Sequence, residues 1–512
     1  MTLSELKVAK WKVYGPCFFS SEGDDGYLGV DYTDNVDTRW GTHATLGPLI
    51  NTVDLSAVGG TTADSNGAAL ANGMHATKYI YVIRGTDPAR IQASNMAATD
   101  PGISLAEAAT SIIYTKSANG TELISLGMDN TVYRNITVIT PAGSDTTTAE
   151  AEKWRIFGYA GSSAGVGRIA AAGRGTGTAM NLVSQNTLSG SVTMDAPNWT
   201  TRATFAGEAV VFTGFQLDGD LWIVMTDNGP YYADANFQEF RPIIDEIGPN
   251  SENGRGSSTW SFLGVICPSQ RGTRFIQNLD GYSIGPGRFL QNTSPVQGFT
   301  TATCGSERWL WWVEYNPVSG NSYLLAARPR RSTDNHAEPL SFYTIATFAS
   351  KRSNFLMDID TYGGRTLPTI IGGYGSDIFY LQQGRLPHEH DDTSYEHAAT
   401  GTLFLTELRR DPEKKKHVEY AVLETADCDS DDTVILNVAA DGGTSQKVGY
   451  TINSPGFHKL EVGSGEQIAG CRLKPELVFA RSTASSAPEV IGELSIYYRE
   501  EDRRFDSNRR QG

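Results

Sequence analysis

The sequence predicts an all-β protein: a β-propeller of six to eight blades, with seven favoured, followed by a C-terminal β-sandwich. Three observations lead to this fold class. The 512 residues include 54 glycines and 10% aromatic residues, a composition typical of many short strands joined by tight turns. One hairpin pattern recurs along the chain. No segment has a convincing helical period, and the segment from Ile103 to Ile113 is the best candidate for a short helix.

The recurring pattern is a short apolar or aromatic run, a turn marked by Gly, Asp or Asn, and a second run with an aromatic or β-branched residue. Asn-Gly and Asp-Gly pairs supply the positive φ that tight hairpin turns need. The first run is apolar throughout, which indicates a strand buried on both faces. These first runs are Tyr79–Ile83, Leu123–Leu126, Trp154–Phe157, Leu221–Met225, Arg274–Ile276, Trp309–Val313 and Pro368–Ile371.

The spacing of the hairpins favours radial closure. They recur about every fifty residues, which is the range of propeller blades. A long meander or a stack of sandwiches is the alternative. An isolated hairpin is only marginally stable in water, and strands this apolar need cover on both faces. A closed wheel of blades provides that cover most simply.

The composition changes near Gln383, and the change defines the predicted domains. We expect an N-terminal arm or first strands in residues 1–60, the propeller in 61–383, a polar linker in 384–400, the sandwich in 401–498 and a charged tail in 499–512. The predicted sandwich strands are Thr402–Leu405, Lys416–Leu423, Thr433–Val438, Gln446–Ile452, Phe457–Val462, Cys471–Phe479 and Gly492–Tyr498.

Charge and cysteine use exclude several classes of protein. The net charge of −16 argues against nucleic acid as the main ligand. No apolar stretch approaches the length of a membrane span, and the N-terminus has no apolar core of a signal peptide, so we expect synthesis in a cytosol without export. The five cysteines form no CxxC pair. Arg328, Arg330, Arg331 and the stretch from Arg499 to Arg510 are either solvated edges or contacts with an acidic neighbouring subunit.

The densest polar cluster lies in the predicted linker. His388, His390, Asp392 and His397 are ligand types for a transition metal. A linker rarely holds a preformed geometry, so we expect solvated side chains there, with no metal and no cofactor. Two acidic stretches, Asp24–Asp34 and Asp427–Asp432, lack the spacing of a calcium loop and are interpreted as acidic turns.

No catalytic motif is found, so we predict that the protein is not an enzyme. The stretch Ser251–Trp260 lacks the Asp and the spacing of a sialidase box, and no histidine lies between His75 and His336. No nucleophile elbow or P-loop occurs. Glycan hydrolysis needs paired carboxylates. The acidic residues near the hairpins are Asp218, Asp220, Asp227, Asp358 and Asp360, and the sequence cannot place any two face to face. The aromatic runs Tyr231–Tyr232, Trp309–Trp312 and Tyr497–Tyr498 suit core strands better than sugar stacking.

Two parts of the chain carry a family resemblance. The hairpin Gly219–Tyr232, with its Asp-Asn-Gly turn, resembles hairpins of virion-associated propellers in tailed bacteriophages. The C-terminal order of motifs is similar to the sandwich appended to those propellers: Thr433–Gly443, Gly470–Leu477, Ser486–Val490 and Leu494–Tyr498. The resemblance begins near residue 75 and lies in the type of hairpin and the order of the motifs.

The resemblance implies a structural subunit of a phage tail, nozzle or tail tip, present in the virion as a homo-oligomeric ring. Its partners would be other tail subunits, and residues 1–60 and the tail after Arg499 would contact neighbours. Two alternatives remain open at this point. One is a module that binds carbohydrate or a receptor, such as a host surface glycan, and the other is a glycan-degrading propeller enzyme.

Overall fold

The fold is all-β, as predicted. The computed structural model describes residues 5–17, 28–59, 65–71, 78–116, 122–137, 145–149, 152–160, 168–175, 180–185, 199–205, 212–218, 221–226, 229–234, 240–243, 258–260, 264–267, 274–277, 280–283, 296, 298–306, 309–329, 340–359, 368–383, 395–464 and 466–502. Every regular element within these ranges is a β-strand. In the same ranges, nothing helical is long and apolar enough to cross a membrane.

The helix candidate from Ile103 to Ile113 is wrong. Residues 101–110 form turns and irregular structure, and a strand begins at Ser111. Ile103, Leu105 and Ala109 are buried in one apolar cluster with two neighbouring sheets. Such a short segment gains little from helix formation by itself, so packing decides its conformation.

Five short strands precede the repeated part of the chain. They are β1 (Lys7–Lys12), β2 (Val30–Asp34), β3 (Val36–Asp37), β4 (His43–Leu46) and β5 (Asn51–Thr52).

The repeated region, defined as β5 to β32, contains seven four-stranded antiparallel sheets among the described residues. The first four are β6 (Ser65–Ala71), β7 (Tyr79–Arg84), β8 (Ala89–Gln92), β9 (Ala98–Thr99); β10 (Ser111–Lys116), β11 (Glu122–Gly127), β12 (Arg134–Thr137), β13 (Thr146–Ala149); β14 (Lys153–Ala160), β15 (Arg168–Gly175), β16 (Met180–Gln185), β17 (Trp199–Phe205); β18 (Phe212–Asp218), β19 (Leu221–Thr226), β20 (Gly229–Asp234), β21 (Phe240–Pro242). The last three are β22 (Ser258–Trp260), β23 (Gly264–Cys267), β24 (Arg274–Gln277), β25 (Asp280–Ser283); β26 (Phe299–Gly305), β27 (Leu310–Asn316), β28 (Asn321–Pro329), β29 (Leu340–Phe348); β30 (Phe355–Ile359), β31 (Thr369–Tyr374), β32 (Asp377–Gln382) and β5.

The sheets have a propeller-like order. The first strand of each sheet contacts the first strand of the next, and β30 of the last sheet contacts β6 of the first. Five of the seven predicted apolar runs lie in second strands, and both β7 and β11 are buried at every position. The other two lie one strand away: Trp154–Phe157 in the first strand β14 and Arg274–Ile276 in the third strand β24. The N-terminal strand β5 supplies the outer strand of the last sheet by pairing with β32. The chain therefore holds the ends of the repeated region together with its own strand pairing.

The C-terminal region, defined as β33 to β40, forms two further sheets together with N-terminal strands. Its strands are β33 (Thr400–Leu405), β34 (Lys414–Ala426), β35 (Thr433–Ala440), β36 (Gln446–Lys447), β37 (Gly456–Glu461), β38 (Ala469–Gly470), β39 (Leu473–Ala480) and β40 (Glu489–Asp502). One sheet contains β1, β3, β4, β34, β37, β38 and β40, and the other contains β2, β33, β35, β36 and β39. Residues of both sheets share one apolar core.

Three expectations for this end of the chain need correction. The strand predicted over Gln446–Ile452 stops at Lys447, and Gly449 then adopts a left-handed φ of +68° against Leu460. The C-terminal strands do not end at residue 498, because β40 continues to Asp502, where its acidic residues pair with lysines of β34. Part of the predicted polar linker is buried, since Tyr395 and His397 both lie in the interior. Residues 384–394 lie outside the described residues.

The N-terminal segment joins the two regions. The core of the C-terminal sheets continues into the sixth repeated sheet, where Trp312 and Phe342 pack in the same cluster as Val30 and Val36. The backbone N–H of Cys17 donates to the carbonyl oxygen of Phe342 at 2.7 Å. Residues 1–60, predicted as an arm or first strands, thus contribute the five strands β1 to β5 to this chain's own sheets.

Candidate functional site

One surface depression is a pocket of about 690 Å³ at one end of the C-terminal sheets. We call it the acidic pocket because Glu424, Asp427, Asp429 and Glu489 contribute four carboxyl side chains to its lining. His397 and Cys428 also line it. The pocket collects negative charge and therefore favours a cationic ligand.

Strand register places two of these carboxylates on the outer face of one sheet. Glu424 on β34 lies opposite Ile491 of β40 on one side and Phe457 of β37 on the other. Glu489 lies opposite Ala426, two residues along β34 from Glu424. Side chains alternate along a strand, so Glu424 and Glu489 face outward while the intervening Thr425 is buried.

The loop after β34 brings the other two carboxylates to the rim. Asp427 has a left-handed φ of +46°, which ends the strand. The Oδ1 atom of Asp429 accepts hydrogen bonds from the backbone N–H groups of Asp431 and Asp432, at 2.9 and 3.1 Å. The acidic stretch Asp427–Asp432 is therefore a hydrogen-bonded turn, in the way that Asx residues commonly build turns.

Asp432 fixes this turn to the facing loop. Its buried carboxylate accepts from the backbone N–H of Ser482 at 2.8 Å and from the hydroxyl of Ser486 at 3.3 Å. Both walls of the acidic pocket are thus held by the same buried carboxylate. Preorganisation of this kind lowers the entropic cost of ligand binding.

Of the four candidate metal ligands, for which we expected no metal, only His397 belongs to the described residues. Its Nδ1 donates to the carbonyl oxygen of Leu46 at 3.0 Å, and its ring packs against Tyr395. His388, His390 and Asp392 fall in the range 384–394, outside the described residues. Among described side chains, no group of three or more His, Cys, Asp or Glu residues is arranged to hold a metal ion.

An aromatic edge lies beside the carboxylates. Phe457 is 78% exposed and Tyr450 is 51% exposed, although both are large apolar side chains. The Tyr450 hydroxyl donates to Nδ1 of His458 at 3.1 Å, and Nε2 of that histidine donates to the carbonyl oxygen of Ser454 at 2.9 Å. The backbone around Phe457 is therefore anchored while its ring stays in solvent.

Cys428 is a structural thiol. Burial raises its pKa to about 11, and its thiol donates to the carbonyl oxygen of Asp432 at 3.4 Å. The reactive form of cysteine is the thiolate, which is scarce at neutral pH when the pKa is this high. Cys428 therefore shapes the pocket without supplying a nucleophile.

The remaining residues considered for chemistry have structural contacts or lie elsewhere. Asp358 accepts a hydrogen bond from Nε2 of Gln383 at 2.6 Å, and Asp218 ends β18. Asp220, Asp227 and Asp360 lie outside the described residues. Trp311 and Trp312 are fully buried, as expected of core aromatics.

Comparisons with known proteins give only distant structural likeness. No family model matches the chain, and no curated protein matches it in sequence. An exo-β-1,3-galactanase from Phanerochaete chrysosporium, solved with galactose, is similar over 88% of this chain and 100% of that chain, at 10% identity and a TM-score of 0.31. The CNH domain of AfRom2 is similar over 65% of this chain and 98% of that chain, at 9% identity and a TM-score of 0.38.

Sequence reasoning missed the central residues of the acidic pocket. Glu424 and Glu489 of the pocket, and Phe457 beside it, occur in ordinary alternating strands, and only the fold brings them together. A local signal did exist in Phe457, because it occupies a polar position of an alternating strand directly after Pro455 and Gly456.

Proposed function

We propose that this chain is a non-catalytic structural subunit of a larger particle, and specifically a ring-forming component of a tailed-phage virion. One observation carries the proposal: the N-terminal segment completes sheets in both regions, β5 in the repeated region and β1 to β4 in the C-terminal region. Because the N-terminal strands pair in both regions, we expect the two regions to move together as one rigid body. A rigid subunit suits a symmetric assembly, because the same interface must form in every copy. The particle is taken to be a phage virion because the hairpins and the C-terminal strands resemble those of propeller proteins in tailed phages.

The finer fold assignment belongs to the same proposal. We interpret the seven four-stranded sheets as blades of one seven-bladed propeller, and the two C-terminal sheets as a β-sandwich. The continuous contacts between first strands support the propeller. The single core shared by both C-terminal sheets supports the sandwich.

A glycan-binding module is the second candidate function. The exposed ring of Phe457 beside the carboxylates of the acidic pocket favours it. Aromatic faces and acidic groups are common ways to hold a sugar, by stacking and by hydrogen bonds to hydroxyls.

Three measurements on the purified full chain test these functions. Native mass spectrometry gives the oligomeric state, a glycan array gives carbohydrate binding, and release of reducing sugar from polysaccharides gives turnover. We expect a discrete homo-oligomer and no turnover. Sustained glycan hydrolysis would overturn the structural proposal. Glycan binding that Phe457→Ala abolishes, in a chain that stays monomeric, would establish the second candidate instead.

A further inference from the structure

We propose that this chain cleaves its own backbone at the bond between Asp411 and Pro412, in the turn that leads into β34. Three features meet at this bond: a carbonyl oxygen held by two hydrogen-bond donors, a carboxyl group within reach of the same carbonyl carbon, and a proline nitrogen as the leaving group. A single cut of this kind is not turnover, and the inference goes beyond the proposed assembly function without depending on it.

The carbonyl oxygen of Asp411 accepts two hydrogen bonds. One comes from the backbone N–H of Lys414 at 3.0 Å, and the other comes from Nζ of Lys416 at 3.2 Å. Lys416 is fully buried, and its Nζ also donates to the carbonyl oxygen of Cys471 at 2.7 Å, which fixes its position before any reaction begins. Donors held in this way stabilise the negative charge that a carbonyl oxygen acquires when a nucleophile attacks its carbon.

The nucleophile is the carboxyl group of Asp411 itself. Asp411 is exposed, and no described residue donates a hydrogen bond to its carboxyl group. The attacking oxygen and the backbone carbonyl carbon belong to one residue, so bond rotations alone bring them together in a five-membered ring. Asp411 also has a left-handed φ of +51°, which is unfavourable for a residue with a β-carbon. The native turn thus holds this residue in a strained conformation that cleavage releases.

The reaction balances with water as the only other reactant. The carboxyl oxygen of Asp411 bonds to the backbone carbonyl carbon, the bond from that carbon to the nitrogen of Pro412 breaks, and the carboxyl proton ends on that nitrogen. Water then opens the cyclic anhydride to give the two carboxyl groups of a C-terminal aspartic acid. Pro412 has no N–H, so its nitrogen cannot attack the carboxyl group and form a succinimide instead. Because the leaving nitrogen must gain a proton, the cleavage should accelerate on acidification.

Two other Asp–Pro bonds of the chain are arranged differently. They are Asp87–Pro88 and Asp100–Pro101. The carboxylate of the first accepts a hydrogen bond from the hydroxyl of Thr86 at 3.1 Å, and that of the second accepts from the backbone N–H of Gly102 at 2.7 Å. In the part of the chain that the structure describes, nothing donates to the backbone carbonyl oxygen of either aspartate. The same dipeptide therefore occurs in three settings, and two of them serve as internal controls.

A cut at this bond separates β33 from β34 in the chain without removing a strand pair. The fragment 412–512 carries β39 and β40, which pair with β33 and β1 of the fragment 1–411. The two fragments should therefore stay together as one folded molecule, and only denaturing conditions reveal the cut.

Cleavage rates on the purified full chain test the proposal. The chain is incubated at the lowest pH at which circular dichroism shows the native fold, with a parallel sample unfolded in urea at the same pH. Mass spectrometry under denaturing conditions then measures the fragments from all three Asp–Pro bonds. The variants are Asp411→Ala and Lys416→Met, and the matched control is Lys447→Met, which removes an exposed lysine of β36.

In the folded parent chain, we expect the bond after Asp411 to break at least about tenfold faster than the other two Asp–Pro bonds, and faster than the same bond in urea. Asp411→Ala should abolish the cut, Lys416→Met should slow it at least about tenfold, and Lys447→Met should match the parent.

Equal rates at the three bonds in the folded chain would overturn the proposal, as would a folded Lys416→Met chain that is cleaved as fast as the parent. A rate at Asp411 that is unchanged or higher in urea would show that exposure alone explains the cut, and the proposal would be wrong. The comparison with urea needs no variant, so it decides the question even if Lys416→Met does not fold.

Discussion

Arg39 is the residue on which the junction between the two regions depends. Its guanidinium is fully buried, pairs with Asp37 at 2.6 Å and donates to the carbonyl oxygen of Gln383 at 3.0 Å. Its charge centre lies about 5 Å from the rings of Trp309 and Trp311, at 5.0 and 5.2 Å. Burial opposes the charge, but the adjacent carboxylate outweighs it and raises the pKa of Arg39.

Arg39→Ala should strongly destabilise this junction, because it removes the guanidinium that pairs with the buried carboxylate of Asp37. Removing one partner of a buried pair costs about 3–5 kcal/mol. The midpoint of urea unfolding, followed by tryptophan fluorescence, measures the loss. The control is Arg472→Ala on an exposed side chain, which should change the free energy of unfolding by less than about 0.5 kcal/mol. Equal unfolding midpoints for the two variants would show that Arg39 does not stabilise the junction.

The Cys17 thiol gives a pH dependence with a defined sign. Burial raises its pKa to about 12, with hydrogen bonds to Thr344 acting in the opposite direction. In the unfolded chain the thiol ionises near its ordinary value of 9.0. Its contribution to stability is therefore fully present below pH 9 and is lost as the pH rises toward 12.

Cys17→Ala should accordingly show a smaller fall in melting temperature between pH 8 and pH 11 than the parent chain, because it lacks the group that ionises only on unfolding. Thermal melts by circular dichroism at both pH values measure the difference. A fall as steep in the variant as in the parent would show that other groups, such as buried tyrosines, carry the whole effect.

At the scale of elements, the pair β34 and β40 shows how charge extends a sheet beyond its apolar core. Lys414, Lys415 and Lys416 lie opposite Asp502, Glu501 and Glu500. Oppositely charged residues that face each other across strands stabilise the pairing. The same acidic and basic residues make the sequence look like a solvated tail, so the strand was predicted to end at residue 498.

A double-mutant cycle on Lys415 and Glu501 measures this charge ladder. Lys415→Glu and Glu501→Lys should each lower the free energy of unfolding by about 0.5–1 kcal/mol, and the double swap should restore most of that loss. Glu501 also bonds to His417 at 3.0 Å, so its single variant should cost the more of the two. Additive losses without recovery would show that the two side chains do not interact.

The sequence predicted hairpins of the repeated sheets well, because a continuous apolar run before a Gly or Asn turn is a local signal. The run is the second strand in five sheets, but it lies in the first strand at β14 and in the third strand at β24. Tyr79–Ile83 and Trp309–Val313 coincide closely with β7 and β27. It could not predict where β1 to β5 pair, since their partners lie hundreds of residues away. For the same reason the acidic pocket was not foreseen: it combines residue 397 with residues near 426, 456 and 487.

At the scale of the whole molecule, the N-terminal strands make the two regions interdependent. Strand β1 pairs with β40, β2 with β33 and β5 with β32. The indole N–H of Trp11 donates to the carbonyl oxygen of Thr406 at 2.8 Å, inside the shared core. The covalent connection through residues 384–394 is thus only one of the links between the regions.

Cutting that connection should leave the molecule intact. With a specific protease site placed in residues 384–394, the two fragments should still elute together on size-exclusion chromatography after complete cleavage, because strand pairing and the common core hold them. The uncut variant is the control. Fragments that separate without denaturant would contradict the interdependence of the regions.

The pairing of β1 with β40 also sets an order of events during synthesis. Lys7 contacts Glu500, so β1 finds its neighbour only after the residues up to about 500 have been translated. Loop closure over such a distance makes this a late step in folding. A chain that stops before β40 lacks that neighbour and leaves the edge of β1 unpaired, where proteases can reach its backbone.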